Sequence, residues 1–182
     1  MDDFRFDCGA TWLNLLATRG RSFSDHPEER LASAARLDEW LARSDLQPAR
    51  AATDVDLEQA RDVREALRAL AFPTMLDEPA PPAAVTTLNA LLAAHHDPVV
   101  LVAGEPLRRE PPATVAAALA RITRHALEQL TGPERHALVV CGEQDCRGIF
   151  LDPAGRRRWC PAPACASRGR VRALRARRKA EG

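Results

Sequence analysis

Residues 141–179 read CGEQDCRGIFLDPAGRRRWCPAPACASRGRVRALRARRK and hold four of the five cysteines of this 182-residue chain. They fall as Cys141-x4-Cys146 and Cys160-x4-Cys165, with thirteen residues between the pairs. Two close pairs are the pattern of two metal-binding knuckles, because a tetrahedral zinc needs two ligand pairs brought face to face. RGIFLD and RRRWC flank the turn sequence Asp152-Pro153-Ala154-Gly155, which predicts a strand, a turn and a strand between the pairs. Cys165 then opens a basic helix. Four thiolates close the coordination shell and leave no place for a reactive water, so the Zn2+ expected on Cys141, Cys146, Cys160 and Cys165 is structural.

Two other readings compete. His136, five residues before Cys141, would replace one thiolate in a Cys3His site, although the unbroken double pair makes it the weaker set. A disulfide or redox role is the second. The N-terminus, MDDFRFDCGATWLNLLATRG, is acidic where a secretory signal wants positive charge, and Asn14 breaks its apolar run, so export is not expected. Disulfides rarely persist in the cytosol, which favours metal.

Charge supports the same assignment. A dication on four thiolates leaves a net negative site, stabilised by nearby cations and by the amides of a helix N-terminus. Arg147, Arg156, Arg157 and Arg158 are the candidate cations, and Phe150 and Trp159 the small apolar core of the module. From Cys141 onward there are eleven Arg or Lys against four Asp or Glu, whereas residues 1–140 hold fifteen against twenty-one. At 100° per residue Arg168, Arg172, Arg175 and Lys179 fall in one narrow stripe, with Val171 and Leu174 on a neighbouring face. A basic appendage on an acidic body is the footprint of a polyanion-binding protein, although a solvated helix face has the same look.

The Cys-x4-Cys pair, an aromatic-containing strand, Arg-Arg-Trp-Cys and then Cys-x-x-Arg before a basic helix resemble the CGNR-type zinc finger. That finger closes bacterial proteins whose larger N-terminal part is the ABATE domain, a family described as stress-induced transcription regulators. The resemblance carries Cys141, Cys146, Cys160 and Cys165 over as zinc ligands and Arg168 as the last residue of the naming motif. This chain reads Cys-Ala-Ser-Arg where the family reads Cys-Gly-Asn-Arg. Trp12-Leu13-Asn14-Leu15-Leu16-Ala17-Thr18, the Leu37 to Leu41 segment and Val63-Arg64-Glu65-Ala66-Leu67 are similar to family segments as well, so the likeness extends beyond the finger.

The rest of the chain is expected to be helical, with an apolar fraction of 46% that can fill a core. Phe4 to Phe6 suggest a short strand, and Cys8 a buried small hydrophobe. Helical spacing predicts a helix over 28–43 with Leu31, Ala34, Leu37, Trp40 and Leu41 inward. A second runs over 55–71, capped by Thr53 or Asp54, with Leu57, Ala60, Val63, Leu67 and Leu70 inward and Arg64 outward in solvent. A third follows Pro82 with Val85, Leu88, Leu91 and Leu92. VVLVA at 99–103 reads as a buried strand, paired with 107–109. A last helix uses Val115, Ala118, Leu119, Ile122, Ala126 and Leu130 and stops at Gly132; His125 falls near its apolar stripe and reads as a core histidine.

The expected architecture is therefore mostly α with short β strands. A helical ABATE-like domain at 1–134, suited to ligand sensing or dimerisation, precedes a treble-clef-like finger of hairpin and helix at 135–182. No apolar run reaches the roughly 18 to 20 residues of a membrane helix, so a soluble cytoplasmic protein is expected. The favoured function is a DNA-binding transcription regulator in which Arg168, Arg172, Arg175 and Lys179 contact double-stranded DNA, with a small-molecule effector in the body and a homodimer as further expectations. The alternative is a zinc-stabilised protein- or RNA-interaction module. No catalytic triad, phosphate loop or nucleophile elbow supports an enzyme.

Overall fold

The structure, a computed structural model, describes residues 4–98 and 100–180, the side chains of Lys179 and Ala180 excepted. In chain order its elements are α1 (Thr11–Leu16), β1 (Arg19–Gly20), β2 (Glu28–Glu29), α2 (Ala34–Arg43), α3 (Asp54–Met75), α4 (Pro82–Ala94), β3 (Leu101–Val102), β4 (Arg108–Arg109), α5 (Val115–Thr131), β5 (Leu138–Val140), β6 (Ile149–Leu151) and α6 (Pro163–Ala180). They form two compact units, one running from Leu31 to Arg135 and the other joining the chain up to Arg30 with the chain from His136 onward.

In the Leu31–Arg135 unit α3 packs on α2, α4 and α5. Ser33 caps α2, its hydroxyl accepting the Arg36 N–H, and Leu37, Trp40 and Leu41 are buried one turn apart. The expected start at residue 28 is overruled. Glu28 and Glu29 instead pair with Gly20 and Arg19, and the serine supplies the first free amides with an acceptor. Helix α3 opens with a capping box between Thr53 and Asp56. It runs four residues past the expected end, with Pro73 in its last turn, where a missing N–H removes a single bond.

Four expectations in this unit are corrected. Arg64 is buried, with 2% of its surface exposed; its Nε donates to Glu65 Oε1 at 2.8 Å, and Glu65 also takes Arg68 at 3.1 Å. A guanidinium tolerates such burial when a carboxylate neutralises it. His125 is exposed, and Thr123 occupies the buried position nearby. Val85 is exposed while Ala84 faces the core beside Leu88 and Leu91. The strand near residue 100 is a solvent-facing ribbon: Leu101 pairs with Arg109 and Val102 with Arg108, and Leu101 is 60% exposed. A short apolar run does not distinguish a buried strand from an exposed one. Val99 lies outside the described residues.

In the other unit the hairpin is built differently from the expected one. Strand β6 pairs with β5, Leu138 to Leu151 and Val140 to Ile149, and RRRWC is not a strand. The turn at Asp152 is present, with the Gly155 N–H on the Asp152 carbonyl at 2.9 Å and Gly155 at φ +63. The N-terminal segment covers this hairpin. The Cys8 carbonyl accepts the Leu151 N–H at 2.9 Å, and Gly9, at φ +99, lies so close that a Cβ there would sit 2.6 Å from Leu151 Cβ. Asn14 is buried, its Oδ1 accepting the Cys8 N–H at 3.0 Å. Phe4 is buried without forming a strand, and Trp12, Leu13, Leu15, Ile149 and Phe150 complete the core. Among the described residues no helix is long and apolar enough to cross a membrane.

The α3 cap yields a pH-dependent prediction. Burial works to raise the Asp56 pKa, but hydrogen bonds from the Thr53 hydroxyl, the Thr53 N–H and Arg50 outweigh it and hold the carboxyl below its ordinary value. A depressed carboxylate contributes stability that is full above the unfolded pKa and is lost as pH falls through the folded one. Thr53→Ala is expected to lower unfolding stability by about 1 kcal/mol at neutral pH. The deficit of Asp56→Asn should shrink as pH drops below about 4; denaturant melts over that range check it, and a pH-independent deficit would contradict the cap.

Candidate zinc centre and basic helix

The first cysteine pair sits in the loop that joins β5 to β6. Cys141 follows β5 directly, its N–H bonded to the Gly148 carbonyl at 2.9 Å. The chain then folds back on Glu143, whose carbonyl accepts from Cys146 at 3.0 Å and Arg147 at 2.9 Å. Arg147 takes a left-handed conformation, φ +41, which turns the Gly148 N–H onto Cys146 Sγ at 3.4 Å. The second pair comes from the entry to α6. Cys165 lies in its first turn, as expected, with its N–H on the Ala162 carbonyl, and the Cys160 N–H points at Cys141 Sγ, 3.4 Å away.

These bonds bring the four sulfurs within 4.8 Å of one another, Cys146 and Cys160 at 3.9 Å. Zinc–thiolate bonds of about 2.3 Å imply sulfur–sulfur edges of about 3.8 Å in a tetrahedron. The donor set, its spacing and its N–H···S bonds therefore fit a structural zinc closed by Cys141, Cys146, Cys160 and Cys165. His136 and Cys8 stand outside this group. Hydrogen bonds from Cys141, Cys146 and Cys165 hold the Cys160 thiol far below its ordinary range, while contact with the other sulfurs raises Cys146. The protons shared this way leave when all four ligate. Burial pushes the Cys8 thiol up to about 12, so it behaves as an inert hydrophobe.

Three residues important to this centre were not picked out from sequence. Arg5 Nη1 donates to Cys160 Sγ at 3.3 Å from 155 residues away, and no local pattern announces it. Burial opposes the charge of its guanidinium, but the Cys160 sulfur and Asp7 outweigh it and hold it above its ordinary value. Glu143, 1% exposed, lies 3.0 Å from Arg172 Nη1 and 3.7 Å from Arg168 Nε. Asp145 takes Arg172 Nη2 at 2.9 Å. Both acids stand inside the Cys-x4-Cys loop, where a carboxylate between ligand cysteines was the available signal.

Of the stripe expected to meet nucleic acid, Arg168 and Arg172 thus lean on the knuckle, Arg175 is exposed, and the Lys179 side chain lies outside the described residues. Of the cations expected around the thiolates, Arg147 stacks on Phe23 at 5.0 Å, while Arg156, Arg157 and Arg158 are exposed. Phe150 is core, and Trp159 is half-buried against α6.

Two known families match the chain. ABATE, described as "Putative stress-induced transcription regulator", covers residues 9–133, and the CGNR zinc finger covers residues 138–178. No curated protein matches it.

One zinc per chain is expected by metal analysis, with Cys165→Ser unable to retain it. Partners that orient metal ligands typically affect affinity about 10- to 100-fold. Arg5→Ala should therefore speed zinc extraction by a chelator about tenfold or more, and Cys8→Ser should leave it within about twofold. Equal extraction rates in the two variants would remove Arg5 from the centre.

Proposed function

Since this chain belongs to the ABATE family, a family of stress-induced transcription regulators, and ends in a CGNR zinc finger, we propose that it is a cytoplasmic transcription regulator whose finger binds double-stranded DNA. One observation carries the reading. Arg156, Arg157, Arg158, Arg170, Arg175, Arg177 and Arg178 are exposed on α6 or in the segment that leads to it, and their guanidiniums have no carboxylate partner among the described residues. A helix end pinned by four thiolates and lined by uncompensated guanidiniums suits phosphates, which Arg meets bidentately. A closed sulfur shell offers no open coordination position, which fits binding in place of catalysis. Of the expected stripe of Arg168, Arg172, Arg175 and Lys179, Arg175 and Lys179 enter this proposal as phosphate contacts, while Arg168 and Arg172 sit against Glu143 and Asp145.

The helical body is the proposed sensor. It carries a recess of about 690 Å³ whose lining includes Asp45, Leu46, Leu107, Arg108, Arg109 and Arg121, the last paired with Asp97 at 2.7 Å. Mixed apolar and charged walls of that size suit a small molecule. A homodimer would let two fingers read a longer site, and the exposed apolar ribbon of Val100, Leu101 and Val102 suits self-association.

The test is a titration of zinc-loaded protein against duplex DNA from its own upstream region between about 50 and 200 mM salt, where each phosphate contact contributes a slope near 0.9 in log K against log salt. A slope of about 3 or more, abolished by chelation, is expected. Salt-independent binding, or a preference for single strands, would transfer the reading to a protein- or RNA-interaction module. Native mass spectrometry of the same sample should give a dimer, and a strict monomer would remove that part of the proposal.

A further inference from the structure

Building on the DNA-binding reading, we infer that the duplex is gripped by the face of α6 opposite the Arg168 stripe, built from Arg158, Arg170 and Arg177 around Trp159, and that Arg168 and Arg172 are positioning residues. The two faces differ in what already neutralises them. Arg168 and Arg172 share the buried Glu143 carboxylate, and Arg172 also holds Asp145. Two cations on two carboxylates leave that stretch nearly neutral. Recruiting Arg172 to a phosphate would leave a carboxylate that is 1% exposed with only Arg168, 3.7 Å away, a loss greater than one exposed phosphate contact returns. Their ion pairs fix α6 on the first knuckle.

At about 100° per residue Arg170 and Arg177 lie roughly 180° to 200° around the helix from Arg168. There, among the described residues, no carboxylate pairs with either guanidinium. Arg170 lies over the Trp159 ring at 5.9 Å and Arg158 at 5.4 Å. Gly169 makes this possible: a Cβ at that position would meet the indole Nε1 at 2.2 Å, so only glycine lets the ring lie along the helix. Cation–π contact orients a guanidinium while leaving its outward N–H donors free for a phosphate. Arg170 and Arg177 stand about 10 Å apart along the axis, a span of about three base steps at 3.4 Å each. With the indole already engaged by two guanidiniums, base stacking is not what this face offers. Its partner is the backbone of a duplex rather than a splayed single strand.

The experiment measures duplex affinity across several salt concentrations for the full zinc-loaded chain and its variants, with zinc content and thermal midpoint recorded for each. Replacing Arg158, Arg170 and Arg177 together by Gln should reduce the salt slope by about 2.7, near 0.9 for each lost contact, with zinc retained; Lys at the three positions should restore the slope. Arg172→Gln should hasten zinc extraction and lower the thermal midpoint with the slope unchanged, and Arg175→Gln should remove no more than one contact. Should the triple variant lose its zinc, Arg177→Gln alone, twelve residues beyond Cys165, reads the face with the centre intact. A wild-type slope in a zinc-loaded triple variant, with loss in Arg172→Gln and Arg175→Gln, overturns the face assignment and leaves the DNA reading standing. A wild-type protein that ignores duplex DNA at every salt concentration sinks both, and tighter binding to single-stranded RNA overturns the choice of partner.

Discussion

Four sulfurs held within 4.8 Å are the constraint on which the finger depends. Thiolates at that distance repel one another strongly unless a dication sits among them, so zinc binding and folding of this region are one equilibrium. The ion joins a loop on a three-residue-stranded hairpin to the first turn of an 18-residue helix, and the ion pairs of Arg172 with Glu143 and Asp145 tie the same two segments. A hairpin that small is marginal by itself. The metal supplies what its core does not.

The same constraint explains why the finger is not simply the C-terminal end of the chain. The N-terminal segment supplies Arg5 to a zinc-site sulfur, the Cys8 carbonyl to β6 and the rings of Trp12 and Phe4 to the core. The ABATE match begins at residue 9, so the family boundary and the compact units do not coincide. What matches as a two-part sequence folds with its first thirty residues joined to its last part.

Electrostatics links that scaffold to function. Acidic residues inside the knuckle engage the near side of α6, which sets how the helix leaves the metal. The arginines so engaged are the ones nearest the ligands, and among the described residues no carboxylate pairs with those farther along or across the helix. One basic segment thus divides into an internal clamp and an external surface. Net charge describes neither part separately.

Much of this was legible from local pattern. Ligand spacing announced the zinc set, Cys165 in the first turn followed from its position before a basic run, and the apolar stripes of α3 and α5 matched the buried Leu57, Val63, Leu67, Leu119 and Ile122. These depend on residues a few places apart, and helical period or knuckle spacing encodes such relations directly. The partner of β6, the burial of Arg64, the exposure of His125 and of the ribbon at Leu101, and the reach of Arg5 were decided elsewhere. The reach of Arg5 depends on a charge supplied by a distant segment, as when Asp145 takes Arg172 across 27 residues, while the others depend on how the folded surface buries or exposes a side chain. Sequence by itself determined that a zinc finger with a cationic helix follows a helical body. Only tertiary structure decided which arginines are neutralised, because a guanidinium's availability depends on the carboxylates that folding brings beside it.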